Sequence, residues 1–217
     1  YLVVKVPKWD LAKFRMVSTA IGSGMKSVGE AMAIGRSFEE CIQKALRMVD
    51  AAGFEGNGLE WQDLDQELSQ PTDKRIFALA RAFQEGYSVE KVRSLTNIDP
   101  WFLQKLKAIA DFDRELRSLT LETLTPAFLL RAKQLGFSDR QIGDRVLPEG
   151  GSIREKELVI RTFRKRAGVT PWVKQIDTLA AEYPARTNYL YLTYQGNEHD
   201  TGFHGGVMVL GSGAYRI

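Results

Sequence analysis

The densest chemistry in the sequence is cationic. Between residues 152 and 174 stand Arg154, Lys156, Arg161, Arg164, Lys165, Arg166 and Lys174, against only Glu155 and Glu157. A short helical stretch at 138–146, a turn, and a longer one at 152–167 give the outline of a helix-turn-helix. Its second helix would meet nucleic-acid phosphates by counterion release. The same cations also suit a solvated helix end, where positive charge complements the dipole. Both readings stand on this evidence.

Four other places carry weaker signals. Gly211-Ser-Gly213 follows a strand-like run and could cradle a phosphate with backbone amides, although a turn that needs positive φ explains it equally well. His199, Asp200 and His204 lie close together in a Gly-rich stretch, but no third well-spaced ligand or supporting shell makes them a metal site. Cys41 falls on an apolar helix face and reads as core. Glu30, followed by Ala31-Met32-Ala33, is an acid in an apolar setting, which implies a buried, partnered carboxylate. From the residues alone, no catalytic, cofactor-binding or metal-ligating set is assigned.

The elements that must hold these groups are mostly helical. Ser37 with Glu40 three residues on is a capping box, and Phe38, Cys41, Ile42, Ala45, Leu46 and Val49 follow on one face. Residues 50–60 carry three glycines and no periodicity, the best boundary in the chain. From about 61 to 172 the pattern is helical. Thr72, Ser88, Ser138 and Ser152 are expected N-caps, and Asp99-Pro100 and Thr125-Pro126 combine a cap with proline at the first helical position. The helix after Asp99 should run to about 119 with Leu103, Leu106, Ile109, Ala110 and Leu116 inward. Strands are expected at the start, ended by Pro7, at 188–194, and at 207–210. Residues 21–30 read as a Gly/Ser-rich loop.

Two segments fifty residues apart match: Gly86-Tyr-Ser88-x-x-x-Val92 and Gly136-Phe-Ser138-x-x-x-Ile142, each followed by a turn and a longer helix. Two such units imply a helical domain with pseudo-symmetry rather than a solenoid. Both ends of the chain fall inside apparent structural units, so it reads as a piece of a longer polypeptide.

Composition excludes more than it assigns. The 217 residues are 44% hydrophobic and 26% charged, ordinary globular values that argue against disorder. Thirty basic against 27 acidic side chains leave +3, too little for bulk-charge binding to nucleic acid or membranes. No apolar run approaches the roughly 18–20 residues that cross a bilayer. The single cysteine allows no internal disulfide.

One longer pattern is more specific. Met25-Lys-Ser-Val-Gly-Glu30-Ala-Met-Ala-Ile-Gly35-Arg36, followed by Ser37-Phe-Glu-Glu40, resembles the signature that closes the first ATP-grasp domain of carbamoyl-phosphate synthase large chains. Leu95-Thr-Asn-Ile-Asp99-Pro-Trp101-Phe102-Leu103, Leu135-Gly-Phe-Ser-Asp139 and Val173-Lys-Gln-Ile-Asp177 through Asn188-Tyr-Leu-Tyr191 look like the same family in the same order. Val209-Leu-Gly-Ser-Gly213-Ala-Tyr-Arg216-Ile217 is similar to the opening of that chain's second half. The resemblance spans nearly the whole sequence, and the Asn188–Tyr194 stretch looks like the eukaryotic type. Ala31 departs from a more common valine; residues 50–60 and 147–152 match less well.

The resemblance implies a mainly α segment. Residues 1–50 would end the carboxyphosphate (first ATP-grasp) domain, 60–170 would be the all-helical oligomerisation domain, and 171–217 would begin the pre-ATP-grasp α/β fold of the carbamoyl-phosphate half. The parent would be an ATP-dependent ligase using Mg²⁺ and K⁺, with those ligands outside this segment. Its partners would be a glutaminase domain or subunit and further copies of the large chain. Its compartment would be the cytoplasm, or the mitochondrion for some members. Met25, Val28, Glu30 and Arg216 match positions lining a carbamate tunnel; alternatively Glu30 and Arg216 form a buried ion pair between the two halves. A helical nucleic-acid-binding module using 152–174 is the competing reading.

Overall fold

A computed structural model describes all residues except 51–52, 56–58, 148, 178–181, 184–188, 203–204, 206 and 208–217. Among the described residues are eight α-helices and four strands. They are β1 (Leu2–Lys8), β2 (Gly29–Gly35), α1 (Phe38–Val49), α2 (Leu64–Ser69), α3 (Arg75–Gln84), α4 (Val89–Thr96), α5 (Pro100–Arg117), α6 (Pro126–Gln134), α7 (Asp139–Val146), α8 (Ile153–Arg166), β3 (Trp172–Gln175) and β4 (Leu190–Thr193). The mainly helical class follows directly. Two compact units are present: one comprises the described residues within 1–3, 34–41 and 116–211, the other those within 4–33 and 42–115. The boundaries fall within β1, β2, α1 and α5.

Helix starts follow their cap chemistry. Ser88, Thr125, Ser138 and Ser152 each accept a backbone N–H three residues on, at 3.1, 3.2, 3.1 and 3.3 Å. In α7 and α8 the box is reciprocal, with Gln141 and Glu155 accepting back from the cap amides. Asp99 Oδ1 accepts from Trp101 N at 2.8 Å. Helix ends follow glycine. After α3 and α6, Gly86 and Gly136 take φ of 85° and 97°. Tyr87 N–H reaches Ala82 O and Phe137 N–H reaches Ala132 O, so both ends are Schellman turns. The fifty-residue repeat is therefore a repeat of backbone caps, one copy in each unit.

In the second unit α2 packs on α3 and α4 over Leu68, Leu79, Phe83 and Val92, all 3% exposed or less. In the first, α7 lies against α8, with Ile142 and Ile160 fully buried. A Cβ on Gly143 would meet the Lys156 backbone at 3.1 Å, so the small residue permits that approach. β3 and β4 pair antiparallel with Trp172 opposite Thr193 and Gln175 opposite Leu190.

Several expectations are corrected. β1 runs through Pro7 to Lys8, which is tolerated because, among the described residues, β1 pairs with β2 alone and proline is accepted on an edge strand. Residues 29–35 form a strand, where a loop was expected at its start. Thr72 does not cap α3; the helix begins after Lys74, and Thr72 Oγ1 instead accepts from Lys74 N and donates to Glu67. An additional short helix, α2, starts at Asp63, which caps Gln66 N at 2.9 Å. The expected terminal strand and its glycine turn lie outside the described residues.

Candidate functional site

Of the residues assigned to the tunnel by resemblance, Met25, Val28 and Glu30 sit before and within β2. Strand β2 alternates, with Ala31, Ala33 and Gly35 buried and Glu30 and Met32 turned outward. That alternation corrects the expectation of a buried Glu30. Its carboxylate pairs with Lys5 of β1 at 2.9 Å while both side chains remain more than half exposed, a contact that contributes little. Val28 is half-buried, and its N–H donates to Lys8 O at 2.8 Å, joining it to the end of β1. Met25 is 91% exposed in the preceding loop, whose neighbour Lys26 is tied to Ser18 O and Ala20 O. Arg216 lies outside the described residues.

The same unit holds a cavity of about 260 Å³, floored by Leu11, Leu46, Val49, Ile76 and Phe77. Lys8, on its wall, is engaged: its Nζ donates to Val49 O at 2.8 Å and pairs with Asp10 at 3.4 Å. Burial pushes the Asp10 carboxyl up, but Lys13 and Lys8 together hold it below the usual range. The volume falls short of the 300 Å³ or more typical of ligand pockets.

Two polar clusters lie inside the first unit. In one, Glu40 of α1, 1% exposed, accepts from Arg36 N at 2.9 Å and from Thr193 Oγ1 at 3.0 Å. Gln195 Nε2 adds bonds to Ser37 Oγ at 2.8 Å and Gln134 O at 3.0 Å. The segment after β4 is thereby fastened to the start of α1 and the end of α6. In the other, Asp139 accepts from Lys133 Nζ at 2.9 Å and from Arg164 Nε at 2.8 and 3.0 Å, with all three side chains at most 9% exposed. Burial drives the Asp139 carboxyl upward, yet the two cations outweigh it and hold the carboxyl below its ordinary range. The Tyr194 ring lies 5.2 Å from Lys133 Nζ and 5.7 Å from the Arg164 guanidinium; burial pushes its phenol up to about 12. Both clusters are hydrogen-bonded in the manner of structural anchors, and in the second Lys133 and Arg164 favour the charged form of Asp139.

Sequence reasoning met these residues without their roles. Glu40 was legible as a capping partner, Asp139 as part of a family motif and Thr193 as part of an expected strand; Gln195 gave no signal. Arg164 and Lys174, counted in the basic helix, are buried: one pairs with Asp139, the other with Asp200. The phosphate-binding face shrinks accordingly. His199 Nδ1 accepts from Val173 N at 3.0 Å, and Asp200 accepts from Gln175 N at 2.9 Å, so both fasten their loop to β3. Lys174 and the Gln175 amide hold the Asp200 carboxyl below its usual range. His204 and Gly211–Gly213 lie outside the described residues, among which no group of three or more metal-ligating side chains converges. Cys41 is fully buried and donates to Leu2 O at 3.2 Å.

Comparison with known proteins bears on the whole chain. Residues 30–168 match the family described as carbamoyl-phosphate synthetase large chain, oligomerisation domain. Over its full length the chain is 53% identical to the multifunctional protein pyr-3 of Neurospora crassa, of which it covers 12%. It is 51% identical to the mitochondrial arginine-specific carbamoyl phosphate synthase large chain of the same organism, covering 18%. It is 52% identical to the multifunctional protein CAD of Squalus acanthias, covering 10%. The chain thus spans less than a fifth of each of these relatives.

Proposed function

Because the chain belongs to the carbamoyl-phosphate synthase large-chain family, we propose that it is the central, non-catalytic segment of a carbamoyl-phosphate synthase. The observation that carries this reading is the coincidence of the family match at 30–168 with the helical run from α1 to α8. The parent makes carbamoyl phosphate from bicarbonate, ammonia or glutamine, and two ATP, for arginine, urea or pyrimidine synthesis. Residues 1–50 close its first ATP-grasp domain, 60–170 form the scaffold and assembly surface, and 171–217 open its second half. ATP, Mg²⁺ and K⁺ bind elsewhere in the parent, and the glutaminase is a fused domain or a separate subunit. A cytoplasmic parent fits relatives of the multifunctional kind, and a mitochondrial one fits the arginine-specific relative, whose name states that compartment. Nucleic-acid binding through 152–174 has no support in the family match, and the burial of Arg164 and Lys174 weakens it further.

Carboxyphosphate and carbamate hydrolyse in open water, so a parent that couples two ATP-dependent steps needs a dry conduit between them. Met25, Val28, Glu30 and Arg216 are the segment's contribution to that conduit. Glu30 stands beside Lys5 at the start of β2, and its part in the conduit is to hold an arginine that meets a small anionic intermediate.

Bicarbonate-dependent ATP hydrolysis, measured with carbamoyl phosphate formed, tests both levels. The full-length parent should show both and the 217-residue segment neither; a parent inactive with ammonia and potassium supplied overturns the assignment. Arg216→Ala and Glu30→Gln in the parent should raise ATP consumed per carbamoyl phosphate released. An unchanged ratio refutes the tunnel role.

A further inference from the structure

Helix α8 has two unlike faces. Inward, Ile160 and Arg164 are buried and Phe163 is half-buried, and the helix packs against α7. Outward, Arg154, Leu158, Arg161 and Lys165 recur at steps of four, three and four residues, which sets them on one stripe. All four are exposed, and half of Leu158 is open to solvent. The three cations form no ion pair or hydrogen bond with another described residue; Arg161 is felt by the Tyr194 phenol without bonding to it. Of the two acids on the helix, Glu155 is turned back onto the Ser152 amide at 2.6 Å, and Glu157 lies off the stripe.

The stripe is an apolar seat between cations. Leu158 stands four residues after Arg154 and three before Arg161, so an occupant that meets all of them offers carboxylates around an apolar side chain. From Arg154 to Lys165 the stripe is about 16 Å long, three helical turns, which suits a facing helix. Arg161 and Lys165 are like charges four residues apart and repel each other on a bare helix. An acidic partner removes that repulsion and covers Leu158 in the same step. A nucleic-acid backbone would satisfy the cations but leave Leu158 against phosphate and water, so a polypeptide is the better match.

We infer that the outer face of α8 is the docking surface for an acidic helix of the parent's own chain, outside this segment. The inference rests on the reading of this chain as a segment of a carbamoyl-phosphate synthase, and it adds a contact within that parent. More than four-fifths of each compared relative lies outside the matched stretch. A helix in the same chain is present at high effective concentration, so it can hold a stripe that is short by the standards of stable complexes. The consequence is positional. Helix α8 leads through residues 167–171 into β3, and Arg164 on its inner face is bound to Asp139. A helix seated on the outer face therefore sets where the β3–β4 pair lies relative to the rest of the parent.

Zero-length coupling of the full-length parent with a water-soluble carbodiimide tests this, because the reagent joins an amine only to a carboxylate in contact with it. Lys165 carries the amine, and Arg161→Lys adds a second reporter. Peptide mapping should find Lys165 joined to an Asp or Glu outside this segment. In a mixture of unlabelled and heavy-nitrogen parent, the joined peptides should be of one isotope only. Leu158→Asp, which removes the seat and repels the acids, should lower the yield by about fivefold or more. Exchanging the two charges, Lys165→Glu with the located acid changed to lysine, should re-form the pair with its amine on the other side. An active parent in which Lys165 joins nothing, or only carboxylates within the segment, overturns the docking face and leaves the assignment of the parent standing. Joined peptides of mixed isotope put a second copy on the face and overturn the placement within one chain. Salt-sensitive retention of a mixed-sequence oligonucleotide, abolished by Arg161→Glu, assigns the face to phosphates and overturns the inference. A parent that makes no carbamoyl phosphate overturns the reading on which it rests.

Discussion

Neutralising Asp139 should be strongly destabilising. Its carboxylate is shared by two cations: Arg164 contributes two hydrogen bonds through Nε and Lys133 one. Both cations are buried, so Asp139→Asn leaves two charges without their counter-ion, a situation that costs about 3–5 kcal/mol. Each cation retains one carbonyl acceptor, Phe137 O at 2.7 Å for Lys133 and Val169 O at 3.2 Å for Arg164. The lower end of the range, about 3 kcal/mol, is therefore expected. For a chain of this size that moves the unfolding midpoint down by about 6–12 °C.

The pH dependence supplies an independent check. The Asp139 carboxyl titrates below its unfolded value when folded, because Lys133 and Arg164 outweigh burial. Its contribution is therefore fully present above the unfolded carboxylate range, near about 4, and is lost as pH falls through the lower folded value. The difference between wild type and Asp139→Asn should be constant above about pH 5 and shrink below about pH 4. Scanning calorimetry from pH 7 to pH 3 measures both quantities. A midpoint shift under about 2 °C at neutral pH, or a gap that persists unchanged in acid, would refute the argument that this cluster is an ionic anchor.

Other positions make sharper tests of single causes. Gly35→Ala should destabilise by about 1–3 kcal/mol in urea unfolding, because the new Cβ would stand 2.7 Å from the Glu40 carboxylate and 3.0 Å from Cys41 Sγ; an unchanged midpoint would mean that Glu40 is not held where Arg36 and Thr193 require it. Ser138→Ala and Ser152→Ala should each lower stability by about 1 kcal/mol, read from chemical denaturation, since each removes one arm of a reciprocal capping box.

Where the sequence was legible, the deciding physics was local. A serine, threonine or aspartate before a helical run has few ways to satisfy the free amides behind it, and a glycine after one readily takes positive φ. Ser88, Asp99, Thr125, Ser138, Ser152, Gly86 and Gly136 were therefore readable from type and spacing alone. β2 was hidden because its inward positions are Ala31, Ala33 and Gly35, which carry little strand propensity and become buried only through close packing. The two polar clusters were hidden for a different reason. Whether Arg164 is a surface cation or a buried one depends on Asp139, 25 residues away, and the surroundings of Glu40 depend on Thr193, 153 residues away. Met25, Val28 and Arg216 came from resemblance alone, whereas Glu30 was also read from its apolar neighbours, and there the expected burial failed.

The repeat shows what the local code leaves open. The caps at Gly86 and Gly136, the buried Leu79 and Leu129, and the buried Ala82 and Ala132 recur fifty residues apart. At the matching positions, however, the buried Phe83 and half-buried Val89 of one copy stand where the buried Lys133 and Asp139 stand in the other. Phe83 is 1% exposed and Lys133 is 7% exposed, so both sites are interior, but only one is ionic. The same backbone frame thus accepts an apolar filling or a charged one, and cap spacing cannot tell them apart. What distinguishes the second copy is the set of partners that reach it: Arg164 from α8 and the Tyr194 ring after β4. An ion cluster placed there ties α6, α7 and α8 to the strand pair that follows them, which a second apolar core would do with less directional preference.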